Sequence, residues 1–222
     1  VTDVPKYFFV ILFFRRFKKI TICKCDRNVL NTLPENVDHL VVNFRIYSGV
    51  QDFINAQPLP NQLKSLDMSY MIAHPEHAST LPRSLTSLST IMDGKYHVRM
   101  CDFLKPLPNL LHLRLNCTYI SEVFGEEHAL SLPKTLASFD FYTHSKIKEE
   151  FISNLPRELE SLMLINRDAV SLMTLPPSVT SIQLFKNSGG NSICWTGEMF
   201  PTTIRKLTID GSTDFSKDDV ER

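Results

Sequence analysis

Apolar residues recur along this chain in a short phase counted from a proline. Of the 13 prolines, eight directly follow Leu or Phe: Pro34, Pro60, Pro82, Pro108, Pro133, Pro156, Pro176 and Pro201. The gaps between them are 26, 22, 26, 25, 23, 20 and 25 residues. Apolar side chains follow at plus three, plus six and plus eight. The set is Val37, Leu40, Val42; Leu63, Leu66, Met68; Leu136, Phe139, Phe141; Leu159, Leu162, Leu164; Val179, Ile182, Leu184; and Ile204, Leu207, Ile209. Leu85 and Leu88 continue the phase, with Thr90 in the last place. The unit after Pro108 is one residue short and uses Leu110, Leu113 and Leu115. A degenerate copy, Phe17, Ile20, Ile22, lacks the proline, which makes about nine copies in all.

The step of two between the last pair of apolar positions is strand periodicity and puts both on one face. The first position, three residues earlier, turns in from a bend. Proline has no N–H and biases the preceding residue to extended geometry, so Leu-Pro marks a strand entry and blocks a through-running helix. The spacing predicts strands of three to five residues. Three apolar side chains cannot offset the ordering entropy of a unit of some two dozen residues. Only copies stacked in register bury the open ends of each layer, so the repeat predicts a solenoid with one parallel β-sheet.

At these residues the chain resembles the leucine-rich repeat superfamily, and in particular the FNIP-type repeats of social amoebae and giant viruses, with units reading Leu-Pro-x-Ser-Leu-x-x-Leu-x-hydrophobic. Leu81-Pro82-Arg83-Ser84-Leu85-Thr86-Ser87-Leu88 and Leu175-Pro176-Pro177-Ser178-Val179-Thr180-Ser181-Ile182 are the nearest copies. The resemblance implies a leucine-rich-repeat-like arc with mostly irregular outer segments, little helix and a role in binding rather than catalysis. Two family features are missing. Asn187 alone stands where a regular asparagine column would run, and Phe53-Ile54-Asn55-Ala56-Gln57-Pro58 only distorts the Phe-Asn signature. Three regions are expected: 1–16 as an apolar and basic cap or truncated helical element, 17–210 as the solenoid, and 211–222 as a polar, acidic tail.

Positions between the buried ones should face out of the sheet. The first outward column is His39, Ser65, Ser87, His112, Ser138, Ser161, Ser181, Lys206. The second is Val41, Asp67, Ser89, Arg114, Asp140, Met163, Gln183, Thr208. Together they form the candidate binding face. The serines admit two readings, small hydroxyls that bond nearby backbone or a ladder that holds a ligand. The second column varies in size and charge, as a protein-binding face does. Between strands, Ser145 to Ser153 predicts one or two helical turns, and Asn187 to Ser192 a loop around Gly189-Gly190.

Composition narrows the function classes. Lys plus Arg and Asp plus Glu are 24 each, so the net charge is zero and general affinity for nucleic acid or anionic membrane is not expected. The basic run Arg15-Arg16-Phe17-Lys18-Lys19 carries too little charge on one face for a nucleic-acid site. The longest apolar run, Tyr7 to Phe14, is eight residues against the roughly 20 that span a bilayer. The five cysteines are odd in number and scattered, which suits a reducing, cytoplasmic setting.

No catalytic set emerges. His74 and His77 lack further metal ligands, His97 and Cys101 lack an orienting third group, and no phosphate-cradling glycine loop is present. No cofactor or metal is expected. Val4-Pro5-Lys6-Tyr7-Phe8-Phe9-Val10-Ile11-Leu12 is similar to the start of an F-box, of which at most the first helix precedes the repeat. The sequence therefore predicts a non-catalytic module that docks another protein, with a ubiquitin-ligase substrate receptor bearing a truncated F-box as the alternative.

Overall fold

The structure is a computed structural model and describes residues 17–22, 33–42, 59–73, 80–93, 100–119, 123–166, 170–186 and 199–210. Nine strands follow one another: β1 (Lys19–Ile22), β2 (His39–Val42), β3 (Ser65–Ala73), β4 (Ser87–Asp93), β5 (His112–Tyr119), β6 (Ser138–Thr143), β7 (Ser161–Asn166), β8 (Ser181–Lys186) and β9 (Lys206–Asp210). They form one sheet in sequence order, and every neighbouring pair is parallel. This is the expected solenoid, one strand per repeat.

The proline sets each strand entry. The N–H groups of Val37, Leu63, Leu85, Leu136, Leu159, Val179 and Ile204 each donate to the carbonyl of the proline three residues before, closing a β-turn. Pro60, Pro82, Pro133, Pro156 and Pro176 are buried there, a place where a residue with no N–H leaves no donor unsatisfied. Layers are then tied by a shared acceptor. Thr86 and Ser87 both donate to Lys64, Leu111 and His112 to Thr86, Ala137 and Ser138 to Leu111, and so on to Arg205 and Lys206 on Thr180, at 2.8–3.2 Å. This backbone ladder joins the layers at the strand entries; Asn187, on the far side of β8, lies outside the described residues.

The inward positions make one continuous core. Leu40, Leu66, Leu88, Leu113, Phe139, Leu162 and Ile182 are each at most 2% exposed, and Thr90 is buried in the apolar place it occupies. Two corrections apply at the ends of the stack. Phe17 is 43% exposed and Leu207 42%, each in a layer that has a neighbouring strand on one side only among the described residues. Strand length is a further correction. Strands run from four residues (β1) to nine (β3), beyond the three to five expected, since parallel pairing continues past the apolar triplet.

Among the described residues three short helices lie between strands of the middle layers: α1 (Met100–Leu104), α2 (Glu126–Leu130) and α3 (Glu149–Ser153). The last is the helical turn expected between Ser145 and Ser153. Phe124 and Ile147 form an isolated parallel bridge between two outer segments. Beneath it Phe124, Phe139, Phe141 and Phe151 pack as an aromatic cluster. Phe141 stacks on Phe139 (centroids 5.2 Å) and Phe151 (5.4 Å) and meets Phe124 edge-on at 4.9 Å. Residues 1–16 and 211–222, the His74–His77 pair, His97 and the glycine loop lie outside the described residues. Among the described residues no helix is long and apolar enough to cross a membrane.

Candidate binding face

The strand register brings the two outward columns together as the period-two pattern requires. His39, Ser65, Ser87, His112, Ser138, Ser161, Ser181 and Lys206 are successive partners across the sheet. Val41, Asp67, Ser89, Arg114, Asp140, Met163, Gln183 and Thr208 run beside them. None of these residues is buried. Lys19 and Thr21 of β1 extend both rows by one layer.

Over β1 to β6 the face forms an open trough of about 320 Å³ whose lining includes Lys19, His39, Asp67, His112, Arg114 and Asp140. At its centre Arg114 Nε and Nη2 both reach Asp140 Oδ2 at 3.0 Å. Partial burial pulls the guanidinium pKa down, but the hydrogen bond and attraction of Asp140, with Tyr142 and Asp67 adding to it, leave it raised. Arg114 therefore stays charged and is held, half exposed, across two strands. Beside it Asp67 Oδ1 accepts from the Ser69 N–H (2.9 Å) and hydroxyl (2.5 Å), and Ser69 Oγ lies 2.6 Å from Ser89 Oγ. At the N-terminal end His39 Nδ1 is 2.6 Å from Asp38 Oδ1. That hydrogen bond, with the charges of His39 and Lys18, lowers the Asp38 carboxyl below its ordinary 3.8 against the opposing effect of desolvation.

Sequence reasoning missed a third outward row. Ile91, Asn116, Tyr142, Ile165 and Phe185 are register partners one step further along the strands, all half-buried. Tyr142 Oη donates to Met163 Sδ at 3.4 Å. The face thus changes character along the sheet, charged over β3 to β6 and more apolar over β6 to β8. The longer strands create this row, and no apolar triplet announces it.

The backbone-bonding role weighed for the outward serines belongs to another column, two residues after the proline. Ser84 Oγ lies 2.7 Å from the carbonyls of both Asn61 and Leu63 in the preceding layer. Thr135 bonds Pro108 and Leu110, Ser178 bonds Leu159, and Thr203 bonds Val179 in the same way. Asn109 takes this place in the short unit and donates to Arg83. Ser84 and Ser178 are the serines of the two Leu-Pro-x-Ser-Leu units named above.

Among the described residues no group of three or more His, Cys, Asp or Glu could hold a metal ion. Cys101 lies on α1, where its Sγ approaches the Glu127 carbonyl at 3.6 Å. Cys101 and Cys117 are free thiols.

No protein-family model matches the chain, and no curated protein matches it by sequence. Solved structures do. The circular leucine-rich repeat protein CroV588 is 19% identical with a TM-score of 0.61, over 95% of this chain and 29% of its own. A chain of the Drosophila Toll–Spätzle complex is 13% identical with a TM-score of 0.60, over 86% of this chain and 25% of its own. The leucine-rich repeat-containing protein LegL7 from Legionella pneumophila is 17% identical with a TM-score of 0.52, over 93% of this chain and 79% of its own. This chain thus spans under a third of the first two. At these identities the likeness is one of architecture, and it shows that the chain has the leucine-rich repeat fold.

Proposed function

We propose that this chain is a non-catalytic interaction module that binds another protein through the outward face of its sheet, with the trough over β1 to β6 as the centre. The observation that supports this most is the Arg114–Asp140 pair, in register with Asp67 and Ser89 across four strands, with Ser69 bonded beside them. A charged network of this kind contributes little to the stability of an exposed sheet, roughly 0–1 kcal/mol per pair, and its value lies in orientation and partner choice. The Toll–Spätzle complex shows a related solenoid in a protein–protein assembly. We read the units as FNIP-type, because Ser84 and Ser178 of the Leu-Pro-x-Ser-Leu copies tie one layer to the one before. The free thiols of Cys101 and Cys117 favour a reducing compartment such as the cytoplasm.

The test is capture of partners on the immobilised chain, comparing wild type with Arg114→Glu in the trough and Lys105→Glu on the outer side. Partners lost with Arg114→Glu and kept with Lys105→Glu support the reading. Partners indifferent to Arg114→Glu but lost with Lys105→Glu would move the binding surface to the outer segments.

A further inference from the structure

Two chemistries meet at β6 on the outward face. On one side stands the Arg114–Asp140 pair. On the other, Tyr142, Met163 and Ile165 are half-buried and point outward together. Met163 is the register partner of Asp140 and Ile165 that of Tyr142, so the charged pair and the apolar patch abut. Outward side chains of a sheet have no core of their own to join, and a contiguous apolar patch among them is completed by another molecule.

The charged pair says what that molecule carries. A guanidinium has two edges that fit a carboxylate. Asp140 takes the edge of Nε and Nη2, and does so through Oδ2 alone. The end of the fork, where Nη1 stands beside Nη2, meets no second acid among the described residues, and the group is half exposed. A basic residue of a partner would have to compete with Arg114 for Asp140. An acidic one completes the guanidinium and leaves the Asp140 bond in place. Asp67, the other acid of the trough, stands two strands from Arg114 and is bonded through Oδ1 to Ser69.

Spacing joins the two halves. Neighbouring strands lie about 4.8 Å apart, and an extended segment advances about 6.6 Å in two residues with both side chains on one side. The Arg114 head reaches over to β6, and the patch is centred on β7, one strand further on.

We propose that the partner lays an extended segment across the strands, with an Asp or Glu on the free end of the Arg114 guanidinium. Two residues away it places a large apolar side chain on Tyr142, Met163 and Ile165. This rests on the outward face being the binding surface and adds what the partner carries there. The charge fixes the register of the segment, and the apolar contact supplies most of the affinity.

A random peptide library displayed on phage and selected on the immobilised full chain tests it. Peptides with Asp or Glu two positions from Phe, Trp, Leu, Ile or Met are expected to be enriched. An enriched peptide should bind Arg114→Gln and Met163→Asp each about tenfold or more weakly, read by fluorescence anisotropy. Selection on Arg114→Glu should exchange the acidic residue for Lys or Arg. Circular dichroism of each variant reports retention of the sheet. Peptides that lack the acidic and apolar pair yet are lost with Arg114→Glu would overturn this inference and leave the binding face standing. Peptides indifferent to Arg114→Glu and Met163→Asp would overturn both. A library that yields no binder would also overturn the inference.

Discussion

Layers β6 and β9 carry the same signature and have different fates. Leu132-Pro133 leads to Leu136, Phe139 and Phe141, all fully buried; Phe200-Pro201 leads to Ile204, Leu207 and Ile209, of which none is fully buried. Strand, proline turn and shared carbonyl acceptor are present in both. What differs is company. The β6 layer has a layer on each side, and α3 with Phe151 closes its outer end. The β9 layer has β8 on one side only among the described strands. The repeat pattern therefore encodes the capacity for burial, and the neighbours decide how much of it is realised.

A matched pair of substitutions breaks this comparison most sharply. Leu162→Asp puts an unpaired charge at a position 1% exposed and between two layers, and should cost about 4 kcal/mol, enough to unfold neighbouring layers. Leu207→Asp makes the same chemical change at the equivalent place in β9, where water already reaches the side chain, and should cost less than about 1 kcal/mol. Urea unfolding of both gives the two values. Equal costs would mean that burial at β9 is completed by something other than a following layer.

The solenoid and its inside–outside assignment were legible because they rest on local, repeated requirements. A proline turn needs Leu-Pro; a strand needs alternation; a layer needs apolar residues at fixed offsets. From these, Leu40 through Ile182 could be placed inside and Asp67 through Gln183 outside. The rest depends on contacts between segments that do not repeat. The Phe124–Phe141–Phe151 cluster joins an outer segment, a strand and a helix, and no period links them. The row through Tyr142 and Phe185 exists because the strands outrun their apolar triplets. The interlayer hydroxyls were overlooked for a different reason. Both serine columns recur once per unit, and only geometry shows that Ser84 reaches a carbonyl of the preceding layer while Ser87 starts the strand.

The interlayer hydroxyls sharpen the comparison on a smaller scale. Thr135 Oγ1 bonds the carbonyls of Pro108 (3.0 Å) and Leu110 (2.8 Å) in the middle of the stack. Thr203 makes the equivalent bond in the β9 layer, to Val179 at 3.3 Å. Thr135→Val keeps the shape and should cost about 1 kcal/mol by leaving those carbonyls short of a donor. Thr203→Val should cost about half of that or less, since it gives up one longer bond where Thr135 gives up two. Thermal unfolding of the two valine variants against wild type ranks them. The reverse order would show that end layers lean on these bonds in place of packing.

The smallest effect is expected near the first strands, from Asp38. Its carboxyl is lowered chiefly by the hydrogen bond from His39, with the charges of His39 and Lys18 adding to it and desolvation opposing. A carboxyl with a folded pKa below its unfolded value of 3.8 stabilises the fold above that pH. The contribution fades as pH falls through the lowered folded value, because the protonated group no longer favours the folded state. Asp38→Asn should therefore be slightly less stable than wild type at pH 6, and the difference should close below pH 3.8. Urea midpoints of the two proteins at several pH values measure it. A difference that persists unchanged into acid would mean that Asp38 acts through its shape in the turn before β2 and not through its charge. A charge on this rim is expected to matter less than any inward leucine, because water screens the one and the stacked layers enclose the other.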